Sequence, residues 1–150
     1  HVLRKKMILS LMTILLIVLA VINVKAETRH PAGPDLTGKY KLPNGIIIRL
    51  FQVENEFYGE IVDVTDFNGG QLKDINNPDK SKREQSLIGK QIIRNLEYDD
   101  KTEKWSGGEM YAPERGMWVD LEIETIHDDY LVGKGSKFFF SKKVVWDRIY

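Results

Sequence analysis

The sequence predicts an all-β domain: an eight-stranded antiparallel up-and-down barrel, preceded by an N-terminal signal peptide helix. Three observations carry this. Met117 to Ile126 alternates cleanly, with Met117, Val119, Leu121 and Ile123 on one side and Asp120, Glu122 and Glu124 on the other. Period two with one apolar and one charged face is the pattern of a strand with one buried side. Short runs rich in β-branched and aromatic residues recur along the chain, separated by turn-forming residues. No segment beyond the N-terminal leader has the period of an amphipathic helix. Sequential antiparallel strands can close on themselves and so remove exposed sheet edges. An open sheet or a two-sheet sandwich is the alternative for the same pattern.

The leader is read from three features in series. Arg4-Lys5-Lys6 is followed by an apolar run from Met7 to Ile22, broken only by Ser10 and Thr13, and then by Asn23-Val24-Lys25-Ala26. A basic end, a greasy core and small residues at a cleavage position predict a signal peptide over residues 1–26. The run is shorter than the ~20 residues that span a bilayer, which disfavours a retained anchor. An exported protein, periplasmic or secreted, is therefore expected, with membrane contact only through the signal peptide before cleavage. The chain has no cysteine, so it can form no disulfide. Removing residues 1–26 from the 150 leaves 124, enough for one core. Of the 22 basic residues, Arg4, Lys5, Lys6 and Lys25 lie in the leader, leaving 18 against 22 acidic ones. No basic stripe remains, which argues against nucleic acid as a partner.

Residues 27–36 hold Pro31, Gly33 and Pro34 and are expected to form a flexible leader into a single domain at 37–150. The first strand, Thr37 to Lys41, ends at the turn Pro43-Asn44-Gly45. Ile46 to Gln52 and Phe57 to Thr65 follow, separated by Glu54-Asn55-Glu56. Asp66 to Ser86 is long and irregular, so it is functional or partly ordered. Strands resume at Ile88 to Tyr98, then Trp105 to Tyr111 and Met117 to Ile126. These last two form a hairpin, with Pro113 opening the turn and Gly116 supplying positive φ at its end. Gly107 and Gly108 weaken a strand, and so mark a bulge, a bend or a close approach by another group. Tyr130 to Lys137 and Lys143 to Tyr150 complete the eight.

Catalytic chemistry finds little footing. A serine nucleophile would need His30 or His127 as its base, yet His30 lies in the leader and His127 in an Asp-Asp turn. The acid pairs Asp99-Asp100 and Asp128-Asp129 sit at hairpin tips, where Asp is favoured for turn geometry. Asp74, Asn76, Asn77 and Asp79 offer oxygen ligands but miss the spacing, glycine and bidentate Glu of a calcium loop. An ordered turn is the better reading of that stretch. The expectation is of a protein that is not an enzyme and uses neither metal nor cofactor.

The order Tyr58-Gly59-x-Ile61, Asn77-Pro78-Asp79, Trp105-x-Gly107-Gly108, Pro113-x-x-Gly116, Gly135 and Trp146-x-Arg148 resembles the bacterial domain-of-unknown-function family 2147, a group of small exported proteins. The likeness runs from about Gly38 to Arg148 and implies a lipocalin-like (calycin-type) barrel of unassigned activity. Two departures stand out: Gly38-Lys39-Tyr40 replaces the family's Gly-x-Trp, and Lys134 stands where Arg is common. By analogy with lipocalins, Tyr40 would pack against Arg148 and close one barrel end, a structural role shared with Gly107, Gly108, Pro113, Gly116 and Trp146.

The resemblance, the long loop and the many aromatic side chains together point to a small apolar ligand near one open end. Trp105 is the preferred contact, because Gly107 and Gly108 leave space beside it. Trp105, Tyr111, Tyr58 and Phe139 are its candidate contacts, and the loop Asp66 to Ser86 is the expected cover. Phe138-Phe139-Phe140 cannot all face inward, so at least one lies at a rim, under the loop or against a partner. Lys142 and Lys143 would suit an anionic head group or solvent. The alternative is a packed barrel that acts as an interaction or structural module with another envelope protein. An internal void of roughly 300 Å³ or more would favour the ligand.

Overall fold

The computed structural model describes residues 2–10 and 33–150. Residues 2–10 are helical, with Val2, Leu3, Met7, Ile8 and Leu9 exposed, and belong to a compact unit of their own. The rest of the expected signal segment, the cleavage position after Ala26 and leader residues 27–32 lie outside the described residues. Among the described residues, no helix is long and apolar enough to cross a membrane.

Eight strands follow: β1 (Gly38–Lys41), β2 (Ile47–Val53), β3 (Glu56–Asp63), β4 (Gln91–Asp99), β5 (Lys104–Ala112), β6 (Met117–Ile126), β7 (Tyr130–Lys137) and β8 (Phe140–Ile149). Each pairs antiparallel with the next, and β1 pairs with β8 through Tyr40 opposite Arg148. The barrel is closed. All eight expected strands are present, and the differences lie at their ends. β4 starts at Gln91, not Ile88, because Gly89 takes a φ of +81° and the Lys90 N–H bonds back to the Leu87 carbonyl. β8 starts three residues early because only Phe138 and Phe139 are needed to turn the chain, with Lys137 opposite Phe140.

One end of the barrel is sealed by the segment just before β1. Leu36 is fully buried there, its carbonyl accepts from Tyr40 Oη at 2.9 Å, and the Pro34 carbonyl accepts from Trp105 Nε1 at 3.0 Å. A Cβ on Gly33 would fall 2.3 Å from the Tyr98 ring. Residues 33–36 are therefore fixed in place and not a loose leader; burial of Leu36 and the satisfied carbonyls outweigh their turn-forming composition. Arg148 completes the seal. Its Nη2 donates to Tyr40 Oη at 2.7 Å, and its guanidinium lies 5.4 Å from the Tyr40 ring centroid.

The glycine pair in β5 has two separate jobs. Gly107, at φ +70°, is the extra residue of a bulge between the pairs Trp105–Ile123 and Gly108–Leu121. Gly108 faces inward, where a Cβ would come within 2.7 Å of the Leu96 side chain. The close approach foreseen for this pair is therefore made by a neighbouring strand. The outer wall is polar, with Arg49–Glu60 and Arg94–Glu109 bridging adjacent strands and Glu122 and Glu124 among Lys104, Lys134 and Lys143. This is not the apolar band of a membrane barrel.

Candidate functional site

The half of the barrel away from that seal is hollow. A cavity of about 850 Å³ opens between the β1–β2, β5–β6 and β7–β8 turns. The inward side chains of β5 and β6 form one wall: Met110, Ala112, Met117, Val119 and Leu121. Val144 and Trp146 of β8 form another, together with Gly135 of β7. The inward alternation read from the sequence thus divides in depth. Ile123, nearer the seal, is fully buried, whereas Met117 and Val119 are only half-buried because they border open space.

The floor depends on two glycines in β7. A Cβ on Gly133 would touch the Trp146 indole at 3.4 Å, so the missing side chain makes room for that ring. Trp146 is fully buried, and its Nε1 has no hydrogen-bond partner, so packing alone holds it. Two residues on, Gly135 leaves its space to the cavity. The methionines at positions 110 and 117 bring flexible side chains that can adapt to an occupant.

The mouth differs in chemistry from the floor. Arg115, Lys137 and Lys142 line it, with Glu114 as the acid among them, and so do Phe138 and Phe140. Lys137 Nζ donates to the Trp118 carbonyl at 2.9 Å, which anchors that lysine on the rim. An apolar pocket with a cationic rim can hold an elongated apolar body whose polar or anionic end stays near water.

None of the four candidate contacts lines this cavity. Trp105 lies at the sealed end, where its ring packs edge-on to Phe57, with centroids 4.9 Å apart, and beside Tyr98. The expectation that the glycine pair leaves room for a ligand beside Trp105 is corrected, since Leu96 takes the space beside Gly108 and the open space beside Gly107 is not lined by Trp105. Tyr58 sits on the outer wall, stacked on Phe51 and donating to Glu56. Phe139 is fully exposed at the tip of the β7–β8 turn. Tyr111 is buried, but on the outer side of β5, where its Oη donates to Asp74 at 2.8 Å. Burial, and then that hydrogen bond, push the Tyr111 phenol well above its usual range.

The long β3–β4 connection is what buries Tyr111. None of its residues lines the cavity, so the expectation of a cover is also corrected. It lies against the barrel wall and the β5–β6 turn: Asn76 Nδ2 donates to the Pro113 carbonyl at 3.1 Å, and Asn77 Nδ2 to Asp74 at 2.8 Å. A short 3-10 turn at Lys80–Lys82 orders its far side, with Asp79 as its N-cap. Gly116 is the contact point. Its φ is +64°, and a Cβ would fall 1.8 Å from the Asn76 carbonyl oxygen. Gly116→Ala is expected to lower stability by at least about 2 kcal/mol, since positive φ and a backbone overlap add; chemical denaturation measures it.

The cavity residues that sequence reasoning missed, among them Met110, Ala112 and Val144, are ordinary apolar residues. Their one signal was membership of the inward set.

The fold is shared with a solved bacterial structure described as "Protein HP1028 from the human pathogen Helicobacter pylori belongs to the lipocalin family". The two are 21% identical, with a TM-score of 0.67 over 77% of this chain and 84% of that one. No curated protein matches the chain. The family described as "Uncharacterized protein conserved in bacteria (DUF2147)" matches residues 38–148, which span β1 to the penultimate residue of β8. The chain belongs to that family.

Proposed function

We propose that this protein is an exported, non-enzymatic carrier that holds one small, largely apolar molecule in the open half of its barrel. The observation that carries the reading is the cavity of about 850 Å³ with its apolar floor, well within the ~300–1,000 Å³ range of small-molecule sites. A barrel packed solid as an interaction module does not fit a hollow of that size. The likeness to a lipocalin barrel supports the same reading, because barrels of this strand number can enclose one small ligand. Arg115, Lys137 and Lys142 at the mouth favour a ligand with an anionic end. Export, to the periplasm or beyond, is supported by the basic and then apolar order of Arg4 to Ile22.

Gly135→Leu tests the site without disturbing its walls. Gly135 has no positive φ, and its nearest inward neighbour, Val119 Cγ2, lies at an ordinary 3.6 Å from the position of a Cβ. The leucine should project into the hollow. Native mass spectrometry of wild-type protein from the envelope fraction should find a retained small molecule, released by organic solvent. The apolar anionic dye anilinonaphthalene sulfonate should bind the emptied protein, and Gly135→Leu should weaken it at least about tenfold while stability changes by less than about 1 kcal/mol. Equal dye binding by both proteins, with no retained molecule, would sink the proposal.

A further inference from the structure

We propose that the β7–β8 turn is a lipid-contact tip that seats on the surface of an anionic bilayer beside the mouth of the cavity. Phe138, Phe139 and Phe140 are 89%, 101% and 81% exposed. Three consecutive phenylalanines held in water are unfavourable for a freely soluble surface. The backbone adds to this. Phe138 opens a two-residue turn at φ +53°, a position where glycine is the usual choice and a bulky side chain is strained. Neither feature serves the packing of the barrel, and strain kept without a structural return points to a function at that place.

The surrounding charge selects the partner. Lys137 and Lys142 flank the rings on either side, and Arg115 stands across the mouth. Lys143 is already engaged by Glu124 at 2.9 Å, whereas Lys142 and Arg115 have no ion-pair partner among the described residues. Aromatic rings between cations that no acid neutralises match the boundary of an anionic bilayer, where rings enter the headgroup layer and each cation adds about fivefold in affinity. A second copy of the chain fits worse. A symmetric contact would set the same cations against each other, and a two-residue hairpin tip projects too little surface for the ~800 Å² that a stable partner covers. A bilayer accepts a narrow projecting tip. This departs from the expectation that only the signal peptide meets the membrane.

Phe138 and Phe140 also border the cavity, so a seated tip would set the mouth against the lipid surface and let an apolar molecule pass without crossing water. That consequence rests on the carrier reading above; the contact itself does not.

The test uses the chain from Glu27 onward, because the barrel closes on itself around its own core. Co-sedimentation with vesicles of phosphatidylcholine alone is compared with vesicles containing about one third phosphatidylglycerol. Wild-type protein should bind the anionic vesicles at least about tenfold more tightly, and added salt should weaken that binding. Phe139→Ser should reduce it about tenfold or more, and Lys142→Glu at least about fivefold. Val53→Ser, at an exposed apolar residue on the opposite end, should change nothing. Equal binding to both vesicle types, no binding, or no effect of Phe139→Ser overturns the proposal. A dimer abolished by Phe139→Ser, with no vesicle binding, would overturn it in favour of self-association. Vesicle binding is read with the cavity empty, so a protein that binds vesicles but never retains a ligand defeats the carrier reading alone. Ligand retention without vesicle binding defeats the tip alone.

Discussion

Leu121→Asp is expected to lower the free energy of unfolding by about 3–5 kcal/mol, whereas Glu122→Ala, one residue along, should lower it by less than about 1 kcal/mol. The two side chains stand on opposite faces of β6. Leu121 is 3% exposed, and its ladder partners are Gly108 and Gly135, neither of which can pair a carboxylate. An aspartate there is either buried unpaired or forced to take up a proton, and the apolar floor of the cavity loses a wall residue in both cases. Glu122 lies among Lys104 at 3.7 Å and Lys134 at 3.3 Å on the outer wall, where water screens the loss. Urea unfolding of the two variants checks this. Similar losses for both would mean that the alternation along β6 does not separate inside from outside.

That alternation is the part of the fold most legible in the sequence, because period two with charges on one side has a single structural solution. Turn chemistry was equally plain at Pro43-Asn44-Gly45 and at Pro113 to Gly116. Other features depend on distant parts of the chain meeting. The role of Gly108 follows from Leu96, and Leu96 reaches it only because Asn95, at φ +60°, and Gly107 break the same gap of the β4–β5 ladder. Viewed locally, a Trp beside two glycines looks like a ring with room around it; in the folded chain the neighbouring strand occupies the room beside Gly108, and the open space beside Gly107 is not lined by the ring. The cavity was hidden for a related reason. Met110, Ala112, Val119 and Val144 are the residues of any barrel interior, and whether the interior is full depends on volumes summed across several strands.

The motifs that carry the family likeness turn out to be scaffolding. Trp105 and the Tyr40–Arg148 pair seal one end, Gly107 and Gly108 shape β5, and Pro113 with Gly116 receives the long connection. Among them only Trp146, as its floor, and Gly135, which leaves space open, reach the cavity. The rim residues Arg115, Lys137, Phe138, Phe140 and Lys142 fall between or beside these motifs. A likeness built on such motifs therefore identifies the barrel more readily than its contents. The length of the Asp66 to Ser86 connection suggests a cover, but neither its length nor its motif, Asn77-Pro78-Asp79, says what the segment lies against.

Asp74→Ala tests where the segment lies. Asp74 is wholly buried, and both of its oxygens are in use: Oδ1 accepts from Tyr111 Oη at 2.8 Å, while Oδ2 accepts from Asn77 Nδ2 at 2.8 Å and meets Lys90 Nζ at 3.2 Å. Lys90 also lies 5.1 Å from the Tyr111 ring centroid, so one carboxylate joins the connection to the outer wall of β5. Alanine leaves a mostly buried ammonium and a buried phenol without their acceptor. The expected loss is about 3–5 kcal/mol, the range for removing one partner of a buried ion pair. Tyr111→Phe, which removes a single hydrogen bond, should cost about 1–3 kcal/mol. Amide exchange should accelerate first at Asn77 and Leu87, whose N–H groups bond within the connection. Dye binding, measured well below the melting temperature of the variant, should persist, because residues 66–86 contribute nothing to the cavity lining. A variant that stays folded, shows a released connection and has lost its dye would mean that the segment closes the barrel in solution.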